Sequence, residues 1–134
     1  MTELFQLGNF TLASGAHSRW KIECDAITHG QWAALAVMAV ERLPQFGPVY
    51  GVPRGGIPFA DALRVHATPG CEVALIAEDV VTTGGSIERY VWSMKNDPQT
   101  VFPAQYVGVC VFARGECPRW ITPLFSMLPI RKWE

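Results

Sequence analysis

Lysine is scarce in this chain. Only Lys21, Lys95 and Lys132 occur among its 134 residues, and neither they nor the arginines form a run. That excludes a basic tract for a nucleic-acid backbone or an anionic membrane surface, and a formal net charge of -1 agrees. Long apolar runs are missing too. The longest patch, Trp32 to Val40, falls well short of the roughly 20 residues a bilayer span needs. The opening MTELFQLGNF lacks the basic start and apolar stretch of a secretory signal. Cys24, Cys71, Cys110 and Cys117 form no CxxC pair and have no nearby histidine at ligand spacing. Zinc and disulfides are therefore disfavoured against buried thiols, and a reducing, cytoplasmic setting is expected. Repeats and low-complexity linkers are also absent.

What is present is a compact, apolar composition, 49% hydrophobic and 17% charged, at a length suited to one domain over 1–134. Residues 10–28 read as two short strands around a Ser14–Gly15 turn, with Trp20, Ile22 and Cys24 alternating against Lys21 and Glu23. From Gly30 to Leu43 apolar residues recur at helical spacing, and Pro44 closes the run. A short strand at Val49–Val52 precedes Pro53-Arg54-Gly55-Gly56 and a helix from Pro58 to Val65. Val73–Ala77 is an apolar strand, followed by a glycine turn and a helix over Ser86–Met94. Tyr106–Phe112 is another strand, and Phe125–Ile130 a weaker one. Strands apolar throughout and alternating with helices predict an α/β fold, a parallel sheet flanked by helices. Ligands in such sheets bind beyond the carboxyl ends of the strands, where strand order reverses. The glycine-rich turns at 51–56 and 82–86 fall at such ends.

The stretch AEDVVTTGGS, residues 77–86, carries the strongest chemical signal. A glycine turn opening a helix exposes backbone N–H groups, and the helix dipole adds positive potential, so the turn can cradle a phosphate. Thr82, Thr83 and Ser86 add hydroxyls. The P-loop spacing G-x-x-x-x-G-K-[ST] and the dinucleotide fingerprint G-x-G-x-x-G are both missing. Two acids, Glu78 and Asp79, stand immediately before the cradle. Paired carboxylates are good acceptors for a vicinal diol, directly or through Mg2+, and a phosphorylated sugar presents such a diol. The plain alternative is a helix-capping region with Asp79 as a solvated acid.

EDVVTTGGSI (78–87), preceded by the apolar Ala74-Leu75-Ile76-Ala77, closely resembles the diphosphate-sugar motif of the type I phosphoribosyltransferases. GVPRGGIPFADAL (51–63) is similar to that family's pyrophosphate loop and the helix after it. FTLASG (10–15) resembles the opening of the orotate branch, part of a small N-terminal hood over the base. These matches span most of residues 10–90. They imply a type I phosphoribosyltransferase-like fold whose hood is formed by about 1–28 and the C-terminal segment. They also imply a reaction between 5-phosphoribosyl 1-diphosphate and a nucleobase, with Mg2+ bridging diphosphate and ribose hydroxyls, in a homodimer. Under the resemblance Glu78 and Asp79 hold the ribose hydroxyls, and indirectly the metal, while Val80, Thr82, Thr83, Gly84, Gly85 and Ser86 hold the 5-phosphate. Pro53, Arg54 and Gly55 take the diphosphate, with Glu78, Asp79 and Arg54 nearest the chemistry. Phe10 and Arg114 are placed at the base.

Thr82 stands where purine enzymes of the family usually carry an aspartate, which points to orotate or a related pyrimidine. Two departures leave other readings open. The family's orotate enzymes carry a long flexible loop before the acid motif, whereas Val65–Glu72 here is short, and Arg64 and His66 are its nearest basic groups. Ala13 replaces the basic residue of the hood motif, and Ala113 an aspartate before Arg114. A compact xanthine–guanine-type enzyme, to which Phe112-Ala113-Arg114 and Lys132-Trp133-Glu134 bear a loose likeness, is one alternative. A non-catalytic sensor of the diphosphate or of a nucleotide monophosphate is the other. Trp120 and Trp133 suit packing better than base stacking, and His17, His29 and His66 suit the surface.

Overall fold

The computed structural model describes residues 2–12 and 15–127. A two-stranded antiparallel hairpin, β1 (Phe5–Thr11) and β2 (His17–Ile22), leads through a short 3-10 turn at Cys24–Ala26 to helix α1 (His29–Val40). Strands β3 (Val49–Gly51), β4 (Val73–Val81), β5 (Gln105–Ala113) and β6 (Ile121–Ser126) form one parallel sheet, with α2 (Ile57–Arg64) and α3 (Gly85–Lys95) between them. The predicted α/β architecture is present. Of the hood, the hairpin is seen; the C-terminal residues assigned to it, with Trp133 and the turn residues Ala13 and Ser14, lie outside the described residues.

Local chemistry explains the elements. Thr28 caps α1: its hydroxyl accepts from the Gln31 amide (3.2 Å) while the Gln31 side chain accepts from the Thr28 amide (2.9 Å), a reciprocal capping box. The helix therefore starts one residue earlier than the apolar spacing suggests. Pro58 at the first turn of α2 needs no amide partner there. The predicted C-terminal strand is displaced: β6 runs Ile121–Ser126, ahead of the expected 125–130. Pro123 hid it from the pattern, and the sheet tolerates that proline because β6 pairs with β5 alone among the described strands.

The core has two halves, one on each sheet face. Leu75 and Ala77 of β4 and Val109 and Val111 of β5 meet Trp32 and Ala36 of α1 and Phe59 and Leu63 of α2. Ala74 and Ile76 point the other way, onto Ile87 and Val91 of α3, with Cys110 from β5. Burial from both sides is what makes β4 apolar over 73–77, ahead of its two acids.

Strand order corrects one expectation. The order is β3-β4-β5-β6, with no reversal among the described strands, so no switch point of the usual kind marks the site. Both helical crossovers step the same way across the sheet, yet α2 and α3 cover opposite faces. The two connections therefore have opposite hands, and one departs from the right-handed rule for parallel crossovers. The change of face happens at β4, the strand that carries the acid pair.

Candidate active site

A cavity of about 340 Å³ opens at the carboxyl ends of β3, β4 and β5 and is roofed by the hairpin. Pro53 and Gly55 line it from the turn after β3, Glu78 to Val81 from β4, and Thr82, Gly84 and Ser86 from the turn into α3. Arg114 enters from the end of β5, and Leu12, Lys21 and Ile22 close it from the hood. Of the residues singled out from sequence, nine converge here: Pro53, Gly55, Glu78, Asp79, Val80, Thr82, Gly84, Ser86 and Arg114. Arg54, Thr83, Gly85 and Phe10 do not line the cavity.

The acid pair sits differently from the sequence expectation. β4 continues through Val81, so Glu78 and Asp79 lie within the strand and not at its end. The strand tolerates them because they bond to its own backbone. Glu78 Oε1 accepts from the Asp79 amide (3.1 Å), and Asp79 Oδ1 accepts from the Val80 amide (2.7 Å). The bland alternative, a solvated helix cap, is not what the structure shows: Gly84 is the N-cap residue of α3, with a φ of 88° that suits glycine, and no side chain caps it.

Glu78 is 6% exposed and is the buried charged residue among the core positions. Burial, then the hydrogen bond and negative charge of neighbouring Asp79, push its carboxyl up to about 9, with the Ser86 hydroxyl opposing the rise. At neutral pH Glu78 therefore holds its proton and can donate as well as accept. Beneath it, burial and the proximity of Asp79 push the Cys24 thiol up to about 12, so Cys24 is an inert neutral group that donates toward Asp79.

The turn after β3 is bound tightly to the acids. The Val52 amide donates to the Ala77 carbonyl (2.9 Å), one residue before Glu78. A β-carbon on Gly55 would overlap the Asp79 carboxylate, and one on Gly56 would overlap the Ala77 carbonyl. Glycine at both positions allows this approach. The Pro53–Arg54 peptide is cis, and the Arg54 side chain is exposed outside the cavity. On the far side, Thr83 Oγ1 accepts from the Gly85 amide (3.2 Å) and orders the turn from outside.

Arg114 does two things at once. Its guanidinium lies 3.5 Å from the Trp20 ring centroid and donates to Ser18 Oγ (2.9 Å) and the Trp20 carbonyl (3.4 Å) while facing the cavity. It thus anchors the hood to the sheet. Phe10, expected at the base, lies in a neighbouring groove with His17 and Arg19. Lys21 is the charged site residue that sequence reasoning missed; the apolar Leu12, Ile22, Val81 and Ile87 also line the cavity and were not singled out. The strand alternation around Lys21 was visible, but nothing local indicated that β2 folds over the acids.

Among the described residues no group of three His, Cys, Asp or Glu could hold a metal by itself. The paired carboxylates fit a divalent ion only as a shared site, with the remaining oxygens coming from a ligand or water, as Mg2+ commonly takes them. No described helix is long and apolar enough to cross a membrane.

This architecture, a parallel sheet whose acid-bearing strand runs beneath a hairpin hood, is the type I phosphoribosyltransferase fold. Solved structures that share it include orotate phosphoribosyltransferases. The structure superimposes on the enzyme from Aeropyrum pernix with a TM-score of 0.73 at 18% identity, covering 92% of this chain and 89% of the other. The Mycobacterium tuberculosis enzyme, solved with inorganic phosphate, gives 0.64 at 17% identity, covering 90% and 87%. The UMP synthase of Leishmania donovani matches at 0.71 and 16% identity, over 92% of this chain and 34% of that longer one. In sequence the chain is 31% identical over 104 residues to the orotate phosphoribosyltransferase of Methanocorpusculum labreanum. That match covers 60% of this chain and 62% of the relative's length. No family model matches.

Proposed function

We propose that this chain transfers ribose 5-phosphate from 5-phosphoribosyl 1-diphosphate to a ring nitrogen of a nucleobase, orotate or a related pyrimidine, releasing pyrophosphate. The observation that carries the reading is the Glu78–Asp79 pair, held inside the cavity between the 53–55 turn and the N-terminus of α3. The reading uses three anchor points. The α3 turn, with Thr82 and Ser86, takes the 5-phosphate; the acids take the ribose hydroxyls; and the 53–55 turn takes the diphosphate. Bound Mg2+ would supply charge neutralisation on the leaving group, with Glu78 and Asp79 reaching it through hydroxyls or water. The chain's own contribution is positioning: it holds the sugar by both ends with the Asp79 carboxylate beside the carbon that develops positive charge. Thr82 lines the cavity where a purine enzyme would need an acid, and threonine is no base near neutral pH, which favours the pyrimidine acceptor.

A second reading rests on one observation. Residues 65–72 join α2 directly to β4, so the chain has no long segment there to close over the site. That favours a sensor that binds the diphosphate or a nucleotide monophosphate without turning it over. Exposed Phe5 (54%) and Leu7 (91%) on the hood support a homodimer that covers them.

Calorimetry with 5-phosphoribosyl 1-diphosphate and Mg2+ tests both readings, and absence of binding sinks both. Pyrophosphate release is then assayed with orotate, uracil, hypoxanthine, guanine and adenine. Release with orotate supports the transferase; binding with no release on any base selects the sensor.

A further inference from the structure

Lys21 is the one lysine among the residues that line the cavity, and none of the roles above uses it. Its ammonium is held from two sides: Glu23 Oε2 lies 3.2 Å away, and the Phe10 ring centroid 5.0 Å away. Side-chain exposures of 33% for Lys21 and 28% for Glu23 describe a half-desolvated pair, not a freely solvated surface lysine. An ammonium over an aromatic face is favoured electrostatically and loses less on partial burial than one in a purely apolar wall. Phe10 thus reaches the site indirectly, as the platform beneath Lys21.

The charges in the cavity are separated. Its floor carries the Glu78–Asp79 acid pair on β4, and the hood and the end of β5 carry the Lys21 ammonium and the Arg114 guanidinium. A ligand that meets hydroxyl groups on one side and places a second anionic group on the other matches this division. Arg114 already commits two donors to Ser18 and Trp20, whereas Lys21 is tied through one ion pair and can turn its remaining N–H groups toward a ligand.

We propose that Lys21 is a specificity-determining residue that selects an acceptor ring bearing a negative charge, such as a carboxylate, over its neutral counterpart. In this chain the hood cation stands on the second strand of the hairpin. The inference rests on the proposed use of the cavity for a ribose phosphate.

The test uses two nucleotide monophosphates that differ by one group: uridine 5′-monophosphate and its 6-carboxy derivative, the nucleotide of orotate. Wild type is expected to bind the carboxylate form at least about tenfold more tightly, the scale of a single charge-assisted hydrogen bond in a partly desolvated site. Lys21→Met should erase most of that preference while changing uridine monophosphate affinity less than about threefold. Lys21→Arg should keep most of the preference, and added salt should reduce it in wild type but not in Lys21→Met. Failure of wild type to bind either nucleotide overturns the proposed function and this inference with it. Binding of both with a preference unchanged in Lys21→Met, or with no preference in wild type, overturns the role of Lys21 alone.

Discussion

Gly55 and Asp79 share one small space: a β-carbon on the glycine would collide with both carboxylate oxygens of the acid. The turn after β3 and the acid on β4 are therefore one unit, and the diphosphate and hydroxyl ends of the proposed sugar ligand are positioned together. Gly55→Ala should push Asp79 aside without loss of core contacts. Affinity for 5-phosphoribosyl 1-diphosphate with Mg2+ is expected to fall about tenfold or more, since misplacement of a positioning group is costly. Calorimetry reads this, and a near-native thermal melt separates it from unfolding. Unchanged affinity would show that Asp79 does not contact the sugar.

Asp79→Asn tests the same contact through charge alone. The amide oxygen can still accept from the Val80 amide, so β4 keeps its local bond. The variant should fold like wild type and bind the sugar diphosphate more weakly by about 1.5–3 kcal/mol, the cost of replacing a charged acceptor. An affinity equal to wild type would contradict the assigned hydroxyl contact.

Glu78 makes stability depend on pH in a direction opposite to that of a salt-bridged acid. Its carboxyl titrates near 4.5 when exposed and near 9 in the fold, raised mainly by burial. Below about 4.5 it is protonated in both states. Between these values the unfolded chain has released the proton and the folded chain still holds it, so stability falls as pH rises; above about 9 the dependence ends. Wild type should therefore lose more than about 1 kcal/mol between pH 5 and pH 8. Glu78→Gln should flatten that slope and be the more stable protein at pH 8, at the expense of ligand binding, as expected where a buried acid serves function. Parallel slopes for the two proteins in denaturant titrations would refute the buried, protonated carboxyl.

What the sequence revealed, and what it hid, follows the range of the interactions. The acids and glycines of 78–86 are neighbours in the chain, and the strand–turn–helix they form is local, so the cradle was readable. Gly55 was readable as a turn residue, but its collision with Asp79 depends on β3 pairing with β4. Lys21 looked like the polar half of a strand alternation, because only tertiary packing brings β2 over the sheet. β6 was concealed by Pro123, which an edge strand admits and a central strand would not. The missing reversal of strand order arises because each described strand of the sheet pairs with the next in the chain, a choice that sequence pattern does not specify.

Arg114 joins the hood to the sheet, and this gives the hairpin a stability of its own to measure. The guanidinium stacks on Trp20 and donates to Ser18 and the Trp20 carbonyl, and its own amide donates to the Val81 carbonyl (2.8 Å). Removing the side chain deletes a stacked cation and two charge-assisted bonds but leaves that backbone bond and the β4–β5 ladder intact. Arg114→Met should let the amides of 17–22 exchange with solvent about tenfold faster, a loss of roughly 1–2 kcal/mol of local protection. Amides of β4 should exchange as in wild type. Arg114→Lys restores the charge but not the planar fork, so its hairpin should exchange at nearly the Met rate. Equal exchange across 17–22 in all three proteins would mean that the hood is held by its apolar contacts, among them Phe5 against Phe112 (5.9 Å between centroids), with the arginine free to serve a ligand alone.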